Sequence, residues 1–169
     1  KHLERWKSIK KQWLPKHSIQ IVDGGETRFH SVKNGLKWVE GPGIVAIHDA
    51  ARPCVSTQLI NAGYEAAAIH KSAVASVALK DSIREKSGGT TVSRDRSKYY
   101  LIQTPQTFDI DLLKKSYETA NDARFTDDAS LVASKGHDVH LIEGFYQNIK
   151  ITTDEDLDLA QIFLSKDLD

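Results

Sequence analysis

The sequence lacks several features, and each absence excludes a class of protein. Cys54 is the only cysteine among the 169 residues, so an internal disulfide and a cysteine-based zinc site are both excluded. No run of apolar residues approaches the roughly 20 that a helix needs to cross a membrane. The 23 Lys and Arg residues balance the 23 Asp and Glu residues, which argues against a broad basic face for nucleic acid. We therefore expect a globular domain that works in a soluble, reducing compartment.

Methionine is also absent, as are two common phosphate-binding loops. Because the chain has no initiator methionine and opens on a helix-like segment, we expect it to be part of a longer protein. The patterns G-x-x-x-x-G-K-[S/T] and G-x-G-x-x-G, whose backbone N–H groups bind phosphate, do not occur. A nucleotide site in this chain must therefore be built from other residues.

Apolar residues recur at alternating helical and strand spacings along the chain. Ser56, Thr126 and Thr153 each precede a helical pattern and are predicted N-caps. Strands that alternate with helices indicate one α/β domain over residues 1–169, with a layered, mostly parallel sheet. The remaining predicted elements are a first helix that ends before Pro15, helices at 27–40 and 111–120, and strands at 19–22, 44–47, 74–79, 99–103, 139–143 and 149–152.

Residues 80–98 interrupt this alternation. They are polar, and Gly88-Gly89 separates two short strand-like pieces, which is typical of a hairpin turn. We predict that this segment is a β-arm that protrudes from the core.

Three polar clusters fall at predicted strand ends: DGG at 23–25, HDAARP at 48–53 and QTPQ at 103–106. Because ligands bind at the carboxyl ends of strands in parallel sheets, the clusters together predict a functional site. Asp49 can bind hydroxyls or a metal and Arg52 a phosphate, or the two can form a salt bridge within the loop. A histidine–aspartate phosphohydrolase is a third interpretation, but the other histidines show no matching metal-ligand pattern.

Two further features have alternative interpretations. The DGG turn precedes a predicted helix, where its N–H groups either bind an anion or a base edge or simply form an ordinary turn. Lys150 lies between Ile149 and Ile151 in a predicted strand. It either points into a cleft towards a phosphate or protects an outward-facing strand edge.

Motifs over residues 18–164 together resemble a known family. The segments that carry the resemblance, in order and spacing, are VDGGETRFHSVKNGL, IHDAARPCVS, KDSIRE, SRDRSKYYLIQTPQTF, FTDDASLVASKGHDVHLIEG and NIKITTDEDLDLA. They resemble the 2-C-methyl-D-erythritol 4-phosphate cytidylyltransferases of isoprenoid biosynthesis and, in general pattern, the related ribitol-5-phosphate cytidylyltransferases. The TDDAS motif and the short loops resemble the methylerythritol branch more closely. The Gly-rich basic loop with which this family binds the CTP triphosphate does not occur in the sequence.

The resemblance implies a Rossmann-like nucleotidyltransferase fold, a reaction and a set of site residues. A phosphate oxygen of methylerythritol phosphate attacks the α-phosphorus of CTP, and pyrophosphate leaves. Mg²⁺ bound with CTP is the expected cofactor, and no residue is assigned as its ligand. The implied catalytic residues are Lys150, Asp49 and Arg52, the substrate-binding residues are Thr104, Ser82 and Arg96, and the nucleotide-binding residues are Gly25, Glu26, Ser31 and Ala50.

The resemblance also implies a partner and a location. The arm at 80–98 is expected to form a homodimer in which Ser82 and Arg96 reach the substrate site of the other subunit. The expected location is a bacterial cytoplasm or a plastid, with no nucleic-acid or membrane partner. Two alternatives stay open, namely ribitol 5-phosphate as the substrate and a non-catalytic nucleotide-binding role, which the missing triphosphate loop suggests.

Overall fold

The predicted alternation of helices and strands is present in the structure, a computed structural model that describes residues 3–13, 19–120 and 125–166. The helices are α1 Leu3–Trp13, α2 Arg28–Leu36, α3 Thr57–His70, α4 Ile110–Glu118, α5 Asp128–Ser134 and α6 Asp154–Lys166. The strands are β1 Ile44–Ile47, β2 Ser72–Ala78, β3 Ile83–Ser87, β4 Thr90–Arg94, β5 Tyr100–Asp109 and β6 Leu141–Glu143. Within the described ranges, no helix is long and apolar enough to cross a membrane.

Four strands form the central sheet in the order β1-β5-β2-β6. β5 pairs antiparallel with both β1 and β2, whereas β2 and β6 are parallel. Three of the four strands therefore run in one direction, and β5 alone runs in the other. The predicted mostly parallel sheet is confirmed in the sense that most of its strands share one direction. Two of the three strand pairings are nevertheless antiparallel, because the hairpin after β2 returns the chain directly beside it.

The core lies on both faces of β5. Residues 103–108 are all buried, and successive side chains of a strand point to opposite faces. Phe108 belongs to the apolar cluster that includes Leu113 of α4 and Leu131 of α5. Its neighbour Thr107 faces α3, where a Cβ atom built on Gly63 would lie 2.9 Å from the Thr107 hydroxyl oxygen. Gly63 therefore allows α3 to approach the sheet closely.

Two predicted strands are not strands in the structure. Residues 19–22 pair with no strand in the described part of the chain, and the carbonyl oxygen of Ile19 accepts a hydrogen bond from Lys10 Nζ at 2.9 Å. Residues 149–152 are also irregular, because Ile151 N donates to the Ala51 carbonyl oxygen at 2.8 Å and so bonds to a loop. Apolar composition alone does not specify a pairing partner, which explains both errors.

The helix ends differ from the prediction in α2, in α4, which spans Ile110–Glu118 and not 111–120, and in α5. α2 ends at Leu36, not at residue 40. The N-cap of α5 is Asp127 and not Thr126, because the Asp127 carboxylate accepts from Ser130 N at 2.9 Å. The predicted cap Ser56 is confirmed, since its hydroxyl accepts from Leu59 N at 3.2 Å.

The predicted arm is an antiparallel hairpin of β3 and β4. Its turn consists of Gly88 and Gly89, whose φ angles of 52° and 87° are costly for residues with a Cβ atom. At its base, Tyr146 donates from its hydroxyl to the Ala78 carbonyl oxygen at 2.8 Å, and the Lys80 ammonium lies 3.4 Å from the centre of the Tyr146 ring. The base of the hairpin is thus attached to the loop after β6.

Candidate active site

A polar cleft of about 240 Å³ lies where the loop after β1, strand β5 and the segment before α6 meet. It joins two of the three polar clusters that the sequence places at strand ends. The residues that line it are Arg28, Asp49, Arg52, Ile102, Gln103, Thr104, Gln106, Thr126, Asp127 and Lys150. Four of the predicted site residues, Asp49, Arg52, Thr104 and Lys150, are therefore in one cavity.

The Asp49 carboxylate lies between two cations. Its Oδ1 atom accepts from Arg28 Nε at 3.1 Å, and its Oδ2 atom is 2.9 Å from Lys150 Nζ. Burial works to raise the pKa of Asp49, but the hydrogen bonds and charges of Lys150 and Arg28 outweigh burial and hold that pKa below its ordinary value. Asp49 is therefore ionised near neutral pH and can accept hydrogen bonds from ligand hydroxyls.

Arg28 also contacts the interior of the protein. Its Nη2 atom donates to Asp128 Oδ2 at 2.7 Å, and Tyr117 donates from its hydroxyl to Asp128 Oδ1 at 2.5 Å. Burial opposes the charge of Arg28, but the carboxylates of Asp128 and Asp49 outweigh it and raise the pKa of Arg28 above its ordinary value. Burial and the Asp128 charge likewise raise the pKa of Tyr117, so its hydroxyl remains a donor.

Thr104 connects β5 to the loop after β1. Its hydroxyl oxygen accepts from Asp49 N at 3.0 Å and lies 3.1 Å from His48 Nδ1. His48 Nε2 is 3.0 Å from the carbonyl oxygen of Arg52, which can only accept, so Nε2 carries the proton. In a neutral His48 ring, Nδ1 then accepts from the Thr104 hydroxyl. This chain of bonds holds the 48–52 loop against β5.

Arg52 donates from Nη1 to the Asn148 carbonyl oxygen at 2.7 Å. Burial lowers the pKa of Arg52 and outweighs the opposite effect of the Asp49 charge. The Nε atom of Arg52 is buried and has no hydrogen-bond partner among the described residues. Arg52 therefore lines the cleft with its cationic side chain, while its buried Nε is a donor that the described residues leave unsatisfied.

The residues predicted to bind the nucleotide lie around the start of α2 and the loop after β1, outside the cleft lining. Gly25 N donates to the Ser31 hydroxyl oxygen at 2.9 Å, and that hydroxyl donates to the Thr27 carbonyl oxygen at 3.0 Å. A Cβ atom on Gly25 would lie 2.2 Å from the His30 Cβ atom, so the turn needs glycine. Glu26 and Ala50 are both exposed.

The two predicted arm residues are at the base of the hairpin. Ser82 and Arg96 are exposed, and Arg96 Nη1 donates to the carbonyl oxygen of Lys80. Neither residue is part of the described lining of the cleft in the same chain.

Several residues that build the cleft were not predicted from the sequence. Arg28 and Asp128 were missed as a pair, as was Asn148, which is fully buried and donates from Nδ2 to the Thr104 carbonyl oxygen at 2.8 Å. The sequence pattern includes Gln106 only as one member of the QTPQ cluster. Gln106 donates from Nε2 to Asp127 Oδ2 at 3.0 Å and accepts from Ala129 N at 2.9 Å, and so attaches α5 to β5. The local signal for Arg28 was its position just after the DGG turn.

The described residues contain no cluster of three His, Cys, Asp or Glu side chains that could hold a metal. Both Asp49 oxygens already contact cations, and Asp127 contacts Ser130 N and Gln106. The described residues therefore do not fit a metal held by protein ligands alone. What the cleft offers is a carboxylate for hydroxyl groups beside cationic side chains for phosphate.

The family model described as 2-C-methyl-D-erythritol 4-phosphate cytidylyltransferase (IspD) matches residues 3–166 of this chain. The chain is 42% identical over 161 residues to the protein of that name from Phocaeicola vulgatus. The aligned region covers 94% of this chain and 73% of that protein. It is 49% identical over 146 residues to the one from Bacteroides fragilis. Here the aligned region covers 85% of this chain and 66% of that protein.

Solved structures are similar as well. The 4-diphosphocytidyl-2C-methyl-D-erythritol synthase of Anaerococcus prevotii matches with a TM-score of 0.88 and 30% identity, over 97% of this chain and 77% of that one. The 2-C-methyl-D-erythritol 4-phosphate cytidylyltransferase of Thermus thermophilus matches with a TM-score of 0.78 and 33% identity, over 89% of this chain and 78% of that one. The chain thus spans roughly two thirds to three quarters of the length of these relatives.

Proposed function

Because the chain belongs to the 2-C-methyl-D-erythritol 4-phosphate cytidylyltransferase family, we propose that its protein transfers CMP from CTP to methylerythritol phosphate in isoprenoid precursor synthesis. One observation from the chain carries the proposal. Asp49 lies between Arg28 and Lys150 in a cleft that Arg52 and Thr104 also line. A polyol phosphate needs both a carboxylate for its hydroxyls and cations for its phosphate.

The proposed reaction needs positioning more than covalent help. A phosphate oxygen of methylerythritol phosphate attacks the α-phosphorus of CTP, and the bond from that phosphorus to the bridging oxygen of pyrophosphate breaks. The products are the cytidine diphosphate derivative of the polyol and pyrophosphate. No general base is obligatory, because the attacking phosphate is already ionised near pH 7. The protein must bring two anions together, which cationic side chains make possible.

Each cleft residue has a proposed role in this step. Asp49 accepts hydrogen bonds from the polyol hydroxyls, and Thr104 and Arg52 help to hold the same substrate. Lys150 neutralises charge on the reacting phosphates, for which its ammonium is suited because it is 46% exposed and can turn towards a ligand. Its present contact with Asp49 keeps it at the cleft.

Nucleotide binding is proposed at the start of α2 and in the loop after β1. Ser31 and Gly25, which are already hydrogen-bonded to each other, would present backbone and hydroxyl groups to the cytosine or ribose, together with Ala50. Glu26 lies beside them and is exposed. Thr27 accepts from His30 N and so caps α2, which fixes the turn that carries these residues.

Mg²⁺ is proposed as a partner of CTP rather than of the described residues. Protein-bound Mg²⁺ keeps several waters and binds mainly through substrate phosphates, so a site without a carboxylate cage is compatible with it. The ion would neutralise phosphate charge.

A homodimer through the arm is part of the same proposal. Ser82 and Arg96 lie at the arm base, and aromatic side chains beside them, Tyr99, Tyr100 and Tyr146, are between 41% and 52% exposed. Aromatic residues are enriched at protein interfaces, which supports a partner on this surface. The relatives named above come from bacteria, which supports a bacterial cytoplasmic enzyme over a plastid one.

The test uses the protein at the length of the full-length members of its family. Pyrophosphate release is measured with CTP and either methylerythritol phosphate or ribitol 5-phosphate, with Mg²⁺ and with EDTA. We expect Mg²⁺-dependent release with methylerythritol phosphate and a cytidine diphosphate product by mass spectrometry. Faster release with ribitol 5-phosphate would reassign the substrate, and CTP binding without any release would indicate a non-catalytic role.

A further inference from the structure

Arg28 joins a carboxylate in the cleft to a carboxylate in the core. Its Nε atom donates to Asp49 at 3.1 Å, and its Nη2 atom donates to Asp128 at 2.7 Å. The two contacts use two different nitrogens of one planar guanidinium, so the position of one carboxylate restricts the position of the other. A lysine ammonium has no such fork and cannot reproduce both contacts with the same geometry.

The core end of this bridge is fixed. Asp128 is fully buried at the start of α5, and a buried carboxylate is tolerated only when it is paired and hydrogen-bonded. Its two oxygens are satisfied by Arg28 and by the hydroxyl of Tyr117, which is itself buried in α4. Tyr117 in turn stacks on Phe29, the neighbour of Arg28, with ring centres 4.8 Å apart. Arg28 is therefore anchored to the interior through Asp128, whose other partner, Tyr117, also packs against α2.

The cleft end of the bridge is the residue proposed to accept the hydroxyls of the polyol. Asp49 has one oxygen on Arg28 and the other near Lys150, and its main-chain N–H contacts Thr104. Without Arg28, the Asp49 side chain would be free to rotate towards Lys150. That rotation would move the acceptor oxygens and would strengthen the existing pairing of Asp49 with the ammonium that the reacting phosphates need.

We propose that Arg28 is a positioning residue that orients Asp49 towards the polyol phosphate, with buried Asp128 and Tyr117 as its anchor. This inference rests on the proposed function of the cleft. Arg28 acts through Asp49 and needs no contact of its own with the substrate. The effect should therefore be selective for the polyol phosphate, because the bonds of Gly25 and Ser31 at the start of α2 do not involve the Arg28 side chain.

A purely structural role for Arg28 predicts a different result. Loosening of α2 would weaken the binding of CTP and of the polyol phosphate alike, and it would lower the melting temperature in proportion. A positioning role raises KM for the polyol phosphate while KM for CTP stays nearly constant. Displacing a positioning contact by about an ångström costs roughly ten- to a hundredfold in rate or affinity.

The experiment compares Arg28→Lys, Arg28→Gln and Tyr117→Phe in the full-length enzyme, with Arg5→Lys on the exposed face of α1 as the matched control. KM for each substrate, kcat and the melting temperature are measured. For Arg28→Lys we expect KM for methylerythritol phosphate to rise about tenfold, with KM for CTP within about twofold of wild type. Arg28→Gln should show a larger rise, Tyr117→Phe a smaller one in the same direction, and Arg5→Lys none.

Two outcomes would overturn the inference while leaving the proposed function intact. One is an active wild-type enzyme whose Arg28→Lys variant keeps the KM for methylerythritol phosphate. The other is an equal rise of both KM values. If Arg28→Gln fails to fold, Arg28→Lys and Tyr117→Phe still decide between the two roles. A wild-type enzyme that releases no pyrophosphate with any polyol phosphate overturns the proposed function itself, and this inference with it.

Discussion

Arg52 donates from Nη1 to the backbone carbonyl oxygen of Asn148 at 2.7 Å, and this bond joins the loop after β1 to the segment before α6. A second bond, from Ile151 N to the Ala51 carbonyl oxygen at 2.8 Å, runs between the same two segments. Asp49 lies on the first segment and Lys150 on the second. The separation of these two side chains is therefore set by two hydrogen bonds between their segments as well as by their mutual attraction.

Replacing Asn148 by alanine should destabilise the protein. The Asn148 amide is fully buried and donates to Gln103 Oε1 at 3.2 Å and to the Thr104 carbonyl oxygen at 2.8 Å. Removing it leaves buried acceptors unpaired, which costs about 1–3 kcal/mol of unfolding free energy. Urea denaturation measures the change, with the neighbouring exposed residue varied as Gln147→Ala for comparison. Equal stability of the two variants would contradict the buried role of Asn148.

Replacing Lys150 by alanine should lower kcat by about a hundredfold or more, because a cation that stabilises reacting phosphates acts mainly in the transition state. The melting temperature should change little, since the ammonium is partly exposed and its ion pair is screened by solvent. Steady-state kinetics and thermal unfolding check the two parts. Lys7→Ala on α1 is the matched control. An unchanged kcat would remove Lys150 from the mechanism.

The proposed dimer predicts complementation between two damaged subunits. Arg96→Ala should raise KM for methylerythritol phosphate, because Arg96 is proposed to act in the partner's site. When Arg96→Ala and Lys150→Ala subunits are mixed after separate expression, half of the dimers are mixed and each contains one intact site. Activity should therefore recover to about a quarter of the wild-type rate. A mixture no more active than its components would show that the site is not shared between subunits.

The pH dependence of stability should report the ion pairs of Asp49. Its pKa in the folded protein is held below the ordinary value of 3.8, so the stabilisation is fully present above that value. It is lost as the pH falls through the lower folded value. Wild type should therefore lose more unfolding free energy between about pH 5 and pH 2 than Asp49→Asn does. Parallel curves of unfolding free energy against pH for the two proteins would contradict this prediction. Asp138→Asn, which changes an exposed aspartate, is the control variant.

Local patterns predicted some polar clusters that line the cleft, and the family resemblance supplied the proposed roles of their residues. Asp49 and Arg52 follow β1 as the strand-end rule predicts, but Thr104 lies in the middle of β5, which runs against its neighbours, so the prediction that the QTPQ cluster ends a strand was wrong. The cap at Ser56 and the glycines of the arm turn were predicted correctly, because their conformations depend on a few neighbouring residues.

Long-range pairings were not predictable in this way. Arg28 and Asp128 are 100 residues apart, and their contact exists because α2 and α5 pack on the same face of the sheet. No local pattern marks Asp128 as an anchor, since an aspartate at the start of a helix is common. The direction of β5 was missed for a related reason. The orientation of a strand depends on how the preceding chain returns to the sheet, and the residues of the strand itself do not indicate that direction.

The arm is closed at its base by the pairing of Ala78 with Tyr100, the first residue of β5. Everything between these two residues is an insertion between neighbouring strands of the sheet, and the register of β2 and β5 does not depend on its length. Adding or removing residues in equal numbers from β3 and β4 would keep the inward and outward alternation of the hairpin. The reach of the arm can therefore be lengthened or shortened, by evolution or by an engineer, while Thr104 stays in place four residues further along β5.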